Sequence, residues 1–197
     1  MKNTKTNILR LVQLGLLSGL IILLQTIFVI PLSGTLTLSL VLTPIVVGAV
    51  LYGAKTGALL GAVSGVVVAV MAIQGQLGPL VIEMVGYSPI LTVAICVLKA
   101  TFAGWVAGWV NSLFKNHPLA GIFGAAVAAP IVNTGIFLLG MFTIFYDILA
   151  SAASDTNVVT YAIVTLVGVN FLIEFVANVL LAPAVATIVK AVKKIGK

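Results

Sequence analysis

The sequence predicts an all-α integral membrane protein, a single domain of residues 1–197 that forms a bundle of six transmembrane helices with both termini in the cytoplasm. Composition is the first reason for this prediction. Hydrophobic residues make up 61% of the chain and charged residues only 7%, and the mean hydropathy is +1.29. Because a soluble domain carries about 25% charged residues, this composition excludes one.

The length of the apolar runs is the second reason. A helix needs about 20 apolar residues to cross the hydrocarbon core. The six runs are residues 8–30, 38–52, 57–73, 89–114, 119–146 and 161–189. The second run is short and contains Pro44, so we expect it to be tilted or irregular, and Pro130 lies inside the fifth. A polar segment, residues 31–37, follows the first run, and a polar loop, residues 151–160, precedes the sixth.

The sign of the charges between the runs is the third reason. Basic residues lie before or at the start of the first run and occupy every second gap after it: Lys2, Lys5, Arg10, Lys55, Lys115, Lys190, Lys193, Lys194 and Lys197. The acidic residues Glu83, Asp147 and Asp155 occupy the gaps between. Since Lys and Arg in short loops mark the cytoplasmic side, the alternation predicts six spans. The net charge of +6 then reflects orientation and anionic headgroups rather than nucleic-acid binding.

No catalytic signature is present, because the sequence lacks the HExxH, GxSxG and Walker A patterns. One His and four acidic residues are few ligands for a metal site. We expect His117 to be a solvated loop residue and the single Cys96 to be buried packing. The sequence therefore predicts neither an enzyme nor a cofactor, and any energy from ATP must come from another chain.

Two charges lie inside apolar runs, Lys99 in the fourth and Glu174 in the sixth. Such a residue at mid-membrane costs about 2.5–3.5 kcal/mol on insertion scales and usually faces the bundle interior or a water-filled cavity. Two interpretations follow, and they are compatible. The two charges pair and neutralise each other, or one or both bind a polar ligand.

Neutral polar residues in the fifth and sixth runs point to the same interior. Asn133 and Thr134 follow Pro130, which frees a backbone carbonyl and can bend the helix. Interhelical hydrogen bonding by Asn133 is the simpler alternative. Asn170, Glu174 and Asn178 recur every fourth residue and form one polar stripe. We expect a polar cavity between the fourth, fifth and sixth spans, covered from outside by residues 74–79 and 31–37.

Glycines four residues apart predict close helix contacts. Gly53, Gly57, Gly61 and Gly65 run along the third span, and Gly104 and Gly108 lie on the fourth; for the third span we expect packing within the bundle. Gly15 and Gly19 on the first span are the better candidates for a face that docks a partner, because one side of a terminal helix is more easily left open.

Four stretches carry a resemblance to a known family: TLTLSLVLTPIVVGAVLYGAKTGALLGAVSG, LKATFAGWVAGWV, APIVNTGIF and NFLIEFVANVLLAP. With six short spans and basic ends, the chain resembles the substrate-binding S components of energy-coupling-factor (ECF) vitamin transporters, most closely the pantothenate type. The resemblance covers nearly the whole chain.

The resemblance implies a function. S components bind a water-soluble vitamin from outside the prokaryotic plasma membrane and dock on a transmembrane coupling protein that carries two ATPases. Docking through small residues of the first helix maps onto Gly15 and Gly19, the first extracellular loop (residues 31–37) gates the site, and the S component topples to release its vitamin.

If the vitamin is pantothenate, Lys99 would bind its carboxylate. Asn133, Thr134, Asn170 and Gln74 would bond its hydroxyls and amide, and Glu174 would accept a hydroxyl or hold Lys99 in place. Two other functions remain open. One is an S component for another vitamin or an uncharged nutrient, with Lys99 and Glu174 as a structural pair. The other is a self-contained channel or membrane scaffold that needs no ATPase.

Overall fold

The structure is a computed structural model that describes residues 2–27, 30–33, 36–38 and 40–195. Most of these residues are helical. The elements in chain order are α1 Lys2–Thr26, β1 Ile30–Ser33, β2 Leu36–Leu38, α2 Leu42–Tyr52, α3 Ala54–Ile73, α4 Pro79–Tyr87, α5 Pro89–Leu113, α6 Pro118–Thr143, α7 Tyr146–Ala153, α8 Val158–Thr160, a π-helical turn Tyr161–Leu166, and α9 Gly168–Ile195.

Five helices among the described residues are long and apolar enough to cross a membrane: residues Ile8–Thr26 of α1, all of α3, α5 and α6, and residues Gly168–Val192 of α9. Large apolar side chains point away from the bundle; Leu16 is 70% exposed, Ile90 81% and Leu180 72%. Only a hydrocarbon surrounding makes such a surface favourable along whole helices. The chain is therefore an all-α, multi-pass membrane protein.

The second predicted span differs from the others. Of residues 38–52, Leu38 belongs to β2 and only Leu42–Tyr52 is helical, which at about 1.5 Å per residue gives roughly half the thickness of the hydrocarbon core. This helix is nonetheless buried along most of its length, from Pro44 to Val50. It contacts α1, α3, α5, α6 and α9. Helix α2 is the centre of the bundle, which explains why its sequence is apolar without an amphipathic pattern.

Two other boundaries differ from those expected. Helix α1 ends at Thr26 rather than at residue 30, and the segment 31–37 contributes to an antiparallel hairpin in which Pro31 pairs with Thr37. Strand β2 packs beside α9. The sixth run begins as the π-helical turn and becomes α-helical only from Gly168. Gly168 stands at the change from π-helical to α-helical geometry, and Pro31 lies in the hairpin, where it cannot continue a helix.

Short helices that the sequence did not predict close one end of the bundle. Met84 of α4, Leu149 of α7 and Phe145, which directly precedes α7, are buried in a shared apolar cluster. Tyr87 and Phe145 pack edge to face, with their ring centroids 5.8 Å apart. Apolar contacts between α4 and α7 thus order the residues just before the fourth run and those that lead into the polar loop 151–160.

The closest helix contact is between α3 and α5. A Cβ added at Gly57 would overlap the carbonyl oxygen of Gly104, and one at Gly61 would overlap the carbonyl oxygen of Ala100. A Cβ at Gly65 would lie 2.6 Å from the Cα of Val97. The prediction that these glycines pack inside the bundle is confirmed. Gly53 is different, because it joins α2 to α3 with φ +88°. A glycine is favoured there by the geometry of the turn and not by the contact between α3 and α5.

The charges separate between the two ends of the bundle. Helices α3 and α5 are antiparallel, since Gly57 faces Gly104 while Gly65 faces Val97. The start of α3, with Lys55, therefore shares an end with Lys115 after α5. Arg10 of α1 lies at this end too, because its Nη2 donates to Thr56 Oγ1 at 2.9 Å and its guanidinium covers the Tyr52 ring. Glu83 on α4 lies at the opposite end.

Candidate binding cavity

A cavity of about 180 Å³ opens at the end of the bundle where α3 connects to α4. Leu77 and Gly78 of that connection line it, as does Pro79 at the start of α4. Its walls come from α1, α2, α3, α4, α5, α6, the π-helical turn and α9, so the cavity lies inside the bundle rather than on its surface. The expected cover by residues 74–79 agrees with this placement over residues 77–79.

Five of the six residues expected to bind substrate line this cavity: Lys99, Asn133, Thr134, Asn170 and Glu174. They come from α5, α6 and α9, the three helices between which the sequence predicts a polar cavity. Whether they bind a ligand stays a prediction. The sixth, Gln74, lies outside the lining; it is exposed, and its Oε1 accepts a hydrogen bond from Gln76 Nε2 at 2.9 Å.

Lys99 is half-buried on α5. Its Nζ lies 5.0 Å from the centroid of the Phe137 ring on α6, and Phe137 also lines the cavity. An ammonium over an aromatic face is attracted by the ring quadrupole. The contact orients Lys99, the only cation among the described lining residues. A neutral ring does not neutralise the ammonium charge.

The polar stripe of α9 divides into two parts. Asn178 is 2% exposed and is used within the bundle: its Nδ2 donates to the Glu174 carbonyl at 2.8 Å, and its Oδ1 accepts from Thr43 Oγ1 at 3.2 Å. This residue links α9 to α2 and does not line the cavity.

The other two members of the stripe face the cavity. Glu174 is 8% exposed. The Oδ1 atom of Asn170 is buried, and no donor from the described residues reaches it. Leaving a buried acceptor without a donor costs about 1–3 kcal/mol. A ligand hydroxyl or N–H that reached this oxygen would recover that cost.

Sequence reasoning missed two cavity residues, Gln25 of α1 and Ser64 of α3. Both are deeply buried, with 7% and 3% of their surface exposed. Ser64 Oγ donates to Gln25 Oε1 at 3.5 Å. The available signal was the carboxamide itself, because a glutamine near the end of an apolar run needs polar partners inside the membrane.

Gly15 and Gly19 lie on an open face of α1. A Cβ at either position would meet no atom within 4 Å. Only 11% of the α1 span is buried, against 56% of the α3 span. Within the described chain this face has no helix against it, and its role as a docking face stays a prediction.

The predicted gate, residues 31–37, is only partly described. Its backbone forms parts of β1 and β2, while residues 34 and 35 and the side chains of the segment lie outside the described residues. In the same described ranges, no group of three His, Cys, Asp or Glu side chains is arranged to hold a metal ion.

No protein-family model matches the chain, and no curated protein matches it. Its class therefore rests on its own structure. It is a multi-pass α-helical membrane protein with a partly polar cavity inside the bundle, open toward the end that carries α4.

Proposed function

We propose that the chain captures a small anionic water-soluble vitamin, pantothenate first, and delivers it through an ATPase-driven complex as the S component of an ECF importer. One observation carries the proposal. A cavity inside the bundle brings together one cation, Lys99, one acid, Glu174, and neutral hydrogen-bonding groups from α6 and α9.

The size and chemistry of the cavity favour this class of ligand. Pockets for drug-sized ligands measure about 300–1,000 Å³, so about 180 Å³ favours a smaller molecule. Lys99 offers a carboxylate its counter-charge. Asn133, Thr134 and Asn170 offer donors and acceptors that suit hydroxyl and amide groups. A small ligand gains high affinity only in a pocket that is already arranged for it, and the ring of Phe137 supports such an arrangement for Lys99.

The proposed topology has six crossings with both termini cytoplasmic. Five crossings are the long apolar helices. The sixth is α2, which lies inside the bundle and runs antiparallel to α1, since Tyr52 at its end contacts Arg10 near the start of α1. Positive residues near a membrane favour the cytoplasmic side, so the end with Lys55 and Lys115 is cytoplasmic and the cavity opens outward.

The proposed partners are a transmembrane coupling protein and two separate ATPase subunits in a prokaryotic plasma membrane. The chain itself is a transport subunit and not an enzyme. The open face around Gly15 and Gly19 supports docking, because small residues allow close approach of a second helix.

A search for the ligand that co-purifies tests the proposal. The purified protein is denatured, and the released small molecules are identified by mass spectrometry. We expect pantothenate in stoichiometric amount, and much less from the Lys99→Met variant. Gln76→Ala, a change at an exposed loop residue, is the matched control and should retain the ligand.

A second candidate function is an S component for an uncharged nutrient. It is favoured by one observation: Lys99 and Glu174 line the same cavity, so the two charges are placed to neutralise each other. Release of a neutral compound from both the unsubstituted protein and Lys99→Met would support this candidate against pantothenate. Ion currents from the purified chain in planar bilayers, with no bound small molecule, would support a channel instead.

A further inference from the structure

We propose that Gln25 and Ser64 form a second, neutral subsite of the cavity that hydrogen-bonds a hydroxyl or amide group of the ligand. The inference deepens the proposed function and rests on it for the choice of probe. It makes α1, which carries none of the residues expected to bind substrate, part of the binding site.

The two side chains form a wall distinct from that of Lys99. Gln25 comes from α1 and Ser64 from α3, whereas the cation and the other polar lining residues come from α5, α6 and α9. Both side chains are more than nine-tenths buried. A polar pair that is removed from bulk solvent and open to a cavity is a built site and not part of the membrane-facing surface.

The hydrogen-bonding capacity of this pair is mostly unused. The single bond between them is 3.5 Å long, at the outer limit for such contacts. A glutamine carboxamide has two N–H donors and an acceptor oxygen with two lone pairs. From the described residues this carboxamide receives only the bond from Ser64. A ligand with a hydroxyl or amide group would supply the missing partners.

The position of Gln25 gives the subsite a second consequence. Among the described residues, the other hydrogen bonds from α1 to neighbouring helices are at the opposite end of α1, where Arg10 bonds Thr56 and Gln13 accepts a hydrogen bond from Tyr52. Little of the α1 span is buried. A ligand that bonds both Gln25 and the opposite wall would therefore link the C-terminal end of α1 to the rest of the bundle. Helix α1 is also the helix that carries the open face around Gly15 and Gly19.

Thiol accessibility tests whether Gln25 faces an aqueous cavity. In a Cys96→Ala background, Gln25→Cys and Leu23→Cys are treated in lipid nanodiscs with a small charged methanethiosulfonate reagent. Leu23 is the matched control, because it lies two residues away on α1 and is 42% exposed on the bundle surface. We expect labelling at position 25 that pantothenate slows, and no labelling at position 23.

Calorimetric titration with pantothenate tests the hydrogen bonds. Gln25→Leu and Ser64→Ala should each raise the Kd about three- to tenfold, as expected for loss of one net hydrogen bond. Gln13→Leu removes a polar contact of the same helix outside the cavity and should leave the Kd unchanged. An analogue of pantothenate that lacks one hydroxyl should bind the Gln25→Leu variant and the unsubstituted protein almost equally.

The outcomes separate this inference from the proposed function. No labelling of Gln25→Cys overturns the subsite whatever the ligand is. Labelling, with no binding of pantothenate to the unsubstituted chain, contradicts the proposed vitamin and supports a polar subsite at Gln25. Normal pantothenate binding by both Gln25→Leu and Ser64→Ala overturns the subsite and leaves the proposed function standing.

Discussion

The ammonium of Lys99 lies 5.0 Å from the centroid of the Phe137 ring, and both side chains line one cavity. The contact joins α5 to α6 and is worth about 0.5–2 kcal/mol, depending on how far the pair is desolvated. A ring holds an ammonium in position without cancelling its charge. The ring contact therefore leaves the charge of Lys99 to be balanced from the cavity, by Glu174, which also lines it, or by an anionic ligand.

Replacing Lys99 with Met should weaken pantothenate binding at least about tenfold, because loss of one partner of a buried charge pair typically costs 2–5 kcal/mol. Binding of the corresponding alcohol should change far less. Isothermal titration of the variant against the acid and the alcohol measures both effects.

The structural-pair interpretation of Lys99 and Glu174 predicts a different result. Lys99→Met would then destabilise the fold, and a second change, Glu174→Gln, would restore both stability and binding. Undiminished binding of the acid by a folded Lys99→Met protein would remove Lys99 from the site.

Asn170 and Asn178 lie two helical turns apart on α9 and should respond differently to substitution. Asn178→Leu removes bonds to Thr43 and to the Glu174 carbonyl, so it should lower stability by roughly 0.6–2 kcal/mol with little change in Kd. Asn170→Leu should weaken binding and leave stability unchanged or improved, because it removes a buried acceptor without a donor. Unfolding in detergent and ligand titration together measure this. The reverse result would contradict the division of the stripe.

Substituting both Gly15 and Gly19 with Leu should abolish transport by the complete complex while binding by the isolated protein stays intact, since bulky side chains block close approach of a partner helix. Uptake into vesicles and ligand titration provide the two measurements. Gly61→Leu is the matched control, because a Cβ there would overlap the backbone of α5; this change should prevent folding. A parallel fall in binding and transport for the Gly15 and Gly19 variant would show that the face is internal.

The proposed topology predicts which sides of the membrane a thiol reagent reaches. In a Cys96→Ala background, Lys115→Cys and Lys194→Cys should be labelled only from the cytoplasm. Gln76→Cys and Asp155→Cys should be labelled only from outside. All four residues are exposed, so accessibility within the protein does not limit the reaction. Labelling of Lys115→Cys from outside would contradict the six-crossing topology.

The sequence was sufficient to predict the long helices, the α3–α5 glycine contact and five lining residues of the cavity, because each of these depends on a local pattern or on the high cost of polar groups in a membrane. Gln25 and Ser64 were missed because neither has another polar residue three or four positions away on its own helix. Their proximity depends on how α1 packs against α3, and no pattern within either segment encodes that. Gln74 was included because its loop was expected to cover the cavity, but its side chain is exposed and accepts a hydrogen bond from Gln76 instead.

Helix α2 was predicted as a span from its composition, although its eleven residues are too few to cross the hydrocarbon core alone. Contacts with neighbouring helices, rather than with lipid, stabilise it. Five helices surround it, so the tolerance of α2 for polar or shorter side chains is set by protein packing and not by lipid.

The burial of α2 on all sides also bears on how the chain enters the bilayer. A segment of this length gains too little from hydrocarbon contact to be stable in lipid alone. The linker between α2 and α3 is a single residue, Gly53. The two helices therefore have to be inserted together as a hairpin, with α3 providing the hydrophobic length. Because five helices surround α2 in the finished bundle, changes of bilayer thickness act directly on the outer helices and reach α2 only through the packing between helices.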